Sequence, residues 1–121
     1  MSDLIDLRDR MREFTEERGW AQFHDPKSLV LALVGEVGEL AELVQWLPAE
    51  EARALLTSEP RSTRVAEEIS DILIYLVRLA DVLDVDLPSA AHAKLTAAEG
   101  RFHPDDVRGR APLKGLESGG P

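Results

Sequence analysis

The chain contains no cysteine. Disulfides, thiolate metal centres and cysteine nucleophiles are therefore excluded, and a reducing, cytoplasmic setting is expected. Aromatic residues are scarce, with three Phe, two Trp and one Tyr in 121 residues, so each needs a reason for its position. Basic residues are outnumbered. Against 23 Asp and Glu stand 14 Lys and Arg, a formal net charge of −9. That balance argues against a nucleic-acid or anionic-membrane surface, because both need basic patches. A small anionic ligand stays admissible where divalent metal screens it. Long hydrophobic runs are absent too. The apolar stretches are interrupted by Glu, Asp or Arg, and the start, MSDLIDLRDRMREF, lacks an apolar leader core. Neither a signal peptide nor a membrane span is expected.

What is present is helical periodicity. Residues 4–18 place Leu4, Leu7, Met11 and Phe14 on one stripe, and Gly19 ends that helix. A loop follows to Lys27 and is closed by Pro26. Ser28 is the expected cap of a long helix over 28–47, with Pro48 beyond it. Residues 49–58 read as a short helix broken at Pro60. Ser62 or Thr63 starts a third long helix ending near Asp84. Pro88 suits the first turn of a fourth, running to Glu99 before Gly100. No segment alternates as a strand would. The expectation is an all-α bundle of four main helices over residues 1–104, with 105–121 a disordered or arm-like tail. The second and third helices are apolar almost all round, which predicts self-association as a dimer or tetramer.

Inside those two helices lie paired acids. Glu36 and Glu39 stand i, i+3 in LALVGEVGELAELVQW, and Glu68 and Asp71 repeat the spacing in VAEEISDILIYLVRLA. Each pair shares a helical face. At about 100° per residue, Leu29, Leu40, Leu43 and Leu47 project close to Glu36, and Ile72, Tyr75 and Leu79 crowd Glu68. A carboxylate in a leucine stripe is costly unless compensated. No Lys or Arg lies between Lys27 and Arg53, and both pairs read as lacking a nearby cation. Four converging carboxylates without a cation suggest a bound metal. An all-oxygen donor set favours Mg²⁺, with Mn²⁺ as a substitute. None of His24, His92 and His103 stands three residues after a helix glutamate, which disfavours di-iron, and no zinc motif is present. Glu42 and Glu67 are neighbouring acids suited to a solvated role.

The runs LALVGEVGELAELVQW and EEISDILIYLV together resemble the MazG-like nucleoside triphosphate pyrophosphohydrolases, whose pattern is ExxE, a variable spacer, then ExxD. ERGWAQFHDPKSL upstream, and DLPSAAHAKL with RFHP downstream, are similar to the small dCTP pyrophosphatase branch. The resemblance covers residues 7–104. It implies a Mg²⁺-dependent hydrolase of the nucleotide pool, splitting a triphosphate such as dCTP or a modified dCTP into monophosphate and pyrophosphate. Glu36, Glu39, Glu68 and Asp71 would hold the metal and carry the catalysis, with Glu36 and Glu39 both candidates for general base. Trp20, His24, Trp46 and Tyr75 would line the pyrimidine pocket, and Lys94 and Arg101 would contact phosphate. Two positions depart from the pattern: Ala98 replaces an asparagine and Phe102 a tyrosine. A broader triphosphate specificity, or a helical nucleotide-binding or oligomerisation module without hydrolysis, are the alternatives.

Overall fold

The computed structural model describes residues 3–111. Among them the chain is all-helical, with no strand. Six helices follow in order: α1 (Asp3–Glu17), α2 (Pro26–Val44), α3 (Ala49–Leu56), α4 (Arg61–Val82), α5 (Leu87–Arg101) and α6 (Pro104–Val107). They fall into two compact units divided between Leu87 and Pro88. No helix among the described residues is long and apolar enough to cross a membrane.

In the first unit α4 is the hub. It packs chiefly along α2, with α1 and α3 also set against it. Leu29, Val77 and Ala80 form the fully buried apolar centre. Helix α1 ends in a Schellman turn. Gly19 is left-handed at φ 65°, its N–H donates to the Glu16 carbonyl, and the Trp20 N–H donates to the Thr15 carbonyl. The apolar contact of that motif is Trp20 against Phe14, ring edge to face with centroids 5.7 Å apart. Helix α4 ends the same way with Asp84 left-handed at φ 56°: Val85 N–H donates to Ala80 and Asp84 N–H to Asp81.

Several helix ends differ from the sequence reading, among them those of α2, which closes at Val44 rather than 47, and α3, which closes at Leu56 rather than 58. The α2 cap is Asp25, not Ser28. Its carboxylate accepts from the Ser28 N–H at 2.9 Å and the Ser28 hydroxyl at 2.7 Å, and Pro26 fills the first helical position, where no N–H is needed. Helix α4 starts at Arg61; the Ser62 and Thr63 hydroxyls donate instead to Glu59 Oε1. Helix α5 runs through Gly100 to Arg101. An added Cβ at Gly100 would meet nothing within 4 Å, so this solvent-facing glycine only weakens the helix.

The second unit holds α5 and α6. His103 caps α6 by accepting the Asp105 N–H on Nδ1. Of the segment expected as a tail, 105–107 are therefore helical, 108–111 are turn and irregular chain, and 112–121 lie outside the described residues.

The first unit exposes much apolar surface. Val30, Leu31, Val34 and Val37 on α2 are 43–62% exposed, and Ile69, Leu73 and Leu76 on α4 are also open. Helix α2 is apolar on its outward side as well, whereas α4 carries Arg61, Arg64, Glu67, Glu68, Asp71, Arg78 and Asp81 among its apolar residues and is amphipathic.

Candidate active site

The packing of α2 on α4 brings the acids of the two helices together. Carboxylate oxygens of Glu36, Glu39 and Glu68 lie within 4.8 Å of one another. Their burial is graded. Glu68 is 4% exposed, Glu36 is half-buried and Glu39 is exposed. Asp71, one turn beyond Glu68, is half-buried and is not part of this three-carboxylate group. Its charge nevertheless reaches Glu36. The structure thus gathers three of the four expected acids tightly and leaves the fourth at the margin.

The electrostatics express the crowding. Glu36 is pushed up to about 7, first by the close approach of the Glu68 carboxyl, then by burial, then by Glu39 and the charge of Asp71. Glu68 moves down instead. Burial is the largest single influence and acts upward, but contacts with Glu36, Glu39 and Arg64 together outweigh it. The metal-free pair is therefore asymmetric, with the proton on Glu36 and the charge on Glu68.

Arg64 corrects the expectation that both pairs lack a cation. Its guanidinium donates to Glu68 Oε1 at 2.9 Å and lies 3.9 Å from Glu67. The spacing, i to i+4 on one helix, was visible in the sequence. One cation does not balance the cluster. Glu36 Oε2 and Glu68 Oε2 are both buried and have no hydrogen-bond partner. Orphaned buried carboxylate oxygens are expensive, and oxygen-only ligands suit a hard divalent ion. The residues fit such an ion.

The expected pocket residues are placed as follows. Trp20 follows the α1 Schellman turn and opens a single 3₁₀ turn, Ala21–Phe23; it is 45% exposed. His24 closes that turn, its N–H donating to Ala21, and is half-buried. Trp46 lies in the turn after α2, 85% exposed. Tyr75 is half-buried on α4, one turn after Asp71. Lys94 and Arg101 lie on α5 in the second unit, where the Arg101 guanidinium stacks on Phe102 at 4.5 Å.

A network that sequence reasoning missed anchors His24. Arg78 on α4 donates through Nε to His24 Nδ1 at 3.0 Å. The same guanidinium donates to Asp81 at 3.2 Å. Asp81 also receives a two-pronged contact from Arg12 on α1, its Nε bond 2.8 Å long. The side chains of Arg78 and Asp81 are 11% and 7% exposed. Arg12 first, then Arg78, hold Asp81 low against its burial. Pairings across 54 and 69 positions leave no local mark in a sequence.

The profile of the MazG nucleotide pyrophosphohydrolase domain matches residues 24–105, which include all four acids and the segment between them. The chain belongs to the MazG family. Among curated MazG relatives, dCTP pyrophosphatase 1 of Bos taurus is 50% identical over 108 residues, 89% of this chain and 64% of that protein. The Homo sapiens protein of the same name is 48% identical over 99 residues, covering 82% and 58%. The chain therefore spans under two thirds of the length of these relatives. A solved pyrophosphatase from Archaeoglobus fulgidus DSM 4304 superposes with a TM-score of 0.77 at 36% identity, covering 85% of this chain and 94% of that one. The MazG assignment and the all-helical fold agree with the family resemblance and the fold class read from the sequence.

Proposed function

We propose that the protein hydrolyses a deoxynucleoside triphosphate to monophosphate and pyrophosphate, with dCTP or a modified dCTP as substrate, and so clears the nucleotide pool. The observation that carries this reading is the carboxylate group bridging α2 and α4, with its two buried, unpartnered oxygens, in a chain of the MazG family. Resemblance to proteins named dCTP pyrophosphatase supports the choice of base.

Glu36, Glu39 and Glu68, with Asp71 beside them, would hold Mg²⁺. When bound, the ion supplies charge neutralisation for the phosphate oxygens and lowers the pKa of a coordinated water. The chain's own groups do the rest. Arg64 keeps Glu68 ionised and turned into the cluster. Glu39, exposed, takes the proton of the attacking water. Trp20, His24, Trp46 and Tyr75 hold the base, and aromatic stacking contributes about 1–3 kcal/mol per base where it is made. Lys94 and Arg101 neutralise the phosphates. Ala98 offers no amide to phosphate or sugar, and Phe102 no hydroxyl.

The working form is a homo-oligomer in the cytoplasm, covering the open stripes of α2 and α4. Neither a nucleic acid nor a membrane is a partner. The test is incubation of the protein with each triphosphate, with and without Mg²⁺, while pyrophosphate and orthophosphate are followed. Mg²⁺-dependent pyrophosphate from dCTP above the others is the expected result. Equal release from several triphosphates would favour the broader hydrolase, and release from none would leave a binding or oligomerisation module. Orthophosphate in place of pyrophosphate would reject attack at the α-phosphate.

A further inference from the structure

The chain of ion pairs from the exposed Arg12 through the buried side chains of Asp81 and Arg78 ends on one nitrogen of His24. Arginine has only donors, so the Arg78 Nε–H at 3.0 Å requires a lone pair on Nδ1. A neutral imidazole with a lone pair on Nδ1 carries its proton on Nε2. The alternative tautomer would set two N–H groups against each other beside a fixed positive charge. Arg78 is not free to turn away. Asp81 holds it at 3.2 Å, and Arg12 clamps Asp81 from α1. His24 is held from the other side by its place at the end of the 3₁₀ turn, with its N–H on Ala21 at 3.1 Å.

We propose that Arg78, set by Asp81 and Arg12, is a positioning residue that locks His24 as the Nε2–H tautomer, so that His24 meets the substrate only as a hydrogen-bond donor and selects a base presenting an acceptor there. The specificity half rests on the reading of His24 as a base-contacting residue. Burial and the Arg78 charge also lower the His24 pKa, which keeps the ring neutral in the physiological range. A donor fixed in this way rejects a base that presents an N–H or amino group at the same point, because two donors would then be buried unpaired. Asp81 is the relay that makes the choice permanent. Without it, Arg78 could swing away and His24 could exchange tautomers.

The test begins without any nucleotide. Long-range ¹H–¹⁵N correlation spectra of the full chain distinguish the three histidines, and His24 is assigned by the signal lost in His24→Gln. A single Nε2–H pattern for His24 is expected near neutral pH. In Asp81→Asn and Arg78→Met that pattern should shift toward a tautomer average, and Arg78→Lys should restore part of it. The functional arm follows steady-state kinetics for the four deoxynucleoside triphosphates. Arg78→Met should raise KM for the preferred one by about tenfold, the scale of one lost hydrogen bond. It should lower kcat much less and narrow discrimination among bases, with an unchanged Mg²⁺-induced rise in Tm. A wild-type ring protonated on Nδ1, or averaging between tautomers, overturns the lock whatever the nucleotide. A locked ring together with wild-type discrimination in Arg78→Met overturns the specificity role. A wild-type protein that releases no pyrophosphate overturns the functional reading beneath that role, and is told apart because the spectra need no substrate.

Discussion

Arg64 donates to one oxygen of Glu68, Oε1, at 2.9 Å and leaves the other, Oε2, buried without a partner. One carboxylate thus has a supported side and an open side. After the contacts with Glu36 and Glu39, the guanidinium adds to what holds Glu68 charged against its burial, while its free oxygen stays available to an ion. Because the folded pKa of Glu68 is lowered, its contribution to stability is present above the ordinary glutamate range and is lost as pH falls through the lower folded value. Arg64→Met should reduce that contribution and lower Tm in chelator. At pH 8 the cluster is then more negative, so added Mg²⁺ should raise Tm further than it does in the wild type. Thermal melts with EDTA and with Mg²⁺ check this, and equal Mg²⁺ shifts in the two proteins would count against it.

The acids themselves should trade stability against turnover. Glu39→Gln, Glu36→Gln and Glu68→Gln each remove a like charge from a crowded group. Each variant should stay helical by circular dichroism; Glu36→Gln and Glu39→Gln should melt no lower than wild type in chelator, whereas Glu68→Gln should melt lower because it gives up the ion pair with Arg64. Each should lose pyrophosphate release by at least about 100-fold, the upper range for disturbing support around a metal ligand. Glu39→Gln with near-normal activity would remove Glu39 from the catalytic set.

Much of this site was legible because its logic is local. Glu36 with Glu39 and Glu68 with Asp71 each lie one turn apart in apolar surroundings, so periodicity alone put each pair on one helical face. Arg64 is equally local, four residues before Glu68, a spacing that a helix turns into an ion pair. The His24–Arg78 and Arg12–Asp81 contacts were beyond reach. They depend on how α1 and the 3₁₀ turn come to rest on α4, which no spacing along the chain encodes. Helix ends were legible only to within a few residues. Asp25 and Ser28 are both good capping residues, and their competition is settled by a side chain reaching three positions forward. The open stripe of Val30, Leu31 and Val34 was readable as apolar, since composition reports hydrophobicity and not what covers it.

The two Schellman turns make opposite demands. Gly19 and Asp84 both sit at positive φ, where a side chain costs on the order of 1 kcal/mol. Asp84→Gly should therefore raise Tm by a few degrees. Gly19→Ala should lower stability by about 1 kcal/mol, although an added Cβ would meet nothing within 4 Å. Since Trp20 follows directly, Gly19→Ala should also raise KM more than it lowers kcat. Denaturant melts and steady-state kinetics on the two single variants test the pair.

The exposed α2 stripe should be an interface between copies of the chain. Leu31 and Val34 are 61% and 62% exposed, one turn apart. Val34→Glu places a charge in that stripe. Light scattering coupled to size exclusion should give the wild type a mass at least twice that of the chain and shift the variant toward the single chain. An unchanged mass would place the interface elsewhere.

Proton release should accompany metal binding. Glu36, at about 7 in the metal-free protein, carries its proton through the acidic range, whereas an unfolded glutamate loses it near 4.5. A raised folded pKa means that its contribution to stability is fully present below that unfolded value and lost as pH rises through about 7. Metal ligation needs the ionised carboxylate. Apparent Mg²⁺ affinity should therefore climb with pH up to about 7 and level off above it. Titration calorimetry at pH 6, in two buffers of different ionisation enthalpy, should report close to one proton released per ion bound. The same comparison at pH 8 should report almost none, and Glu36→Gln should abolish the release at pH 6. Release of the same size at both pH values would mean that Glu36 is not the group holding the proton.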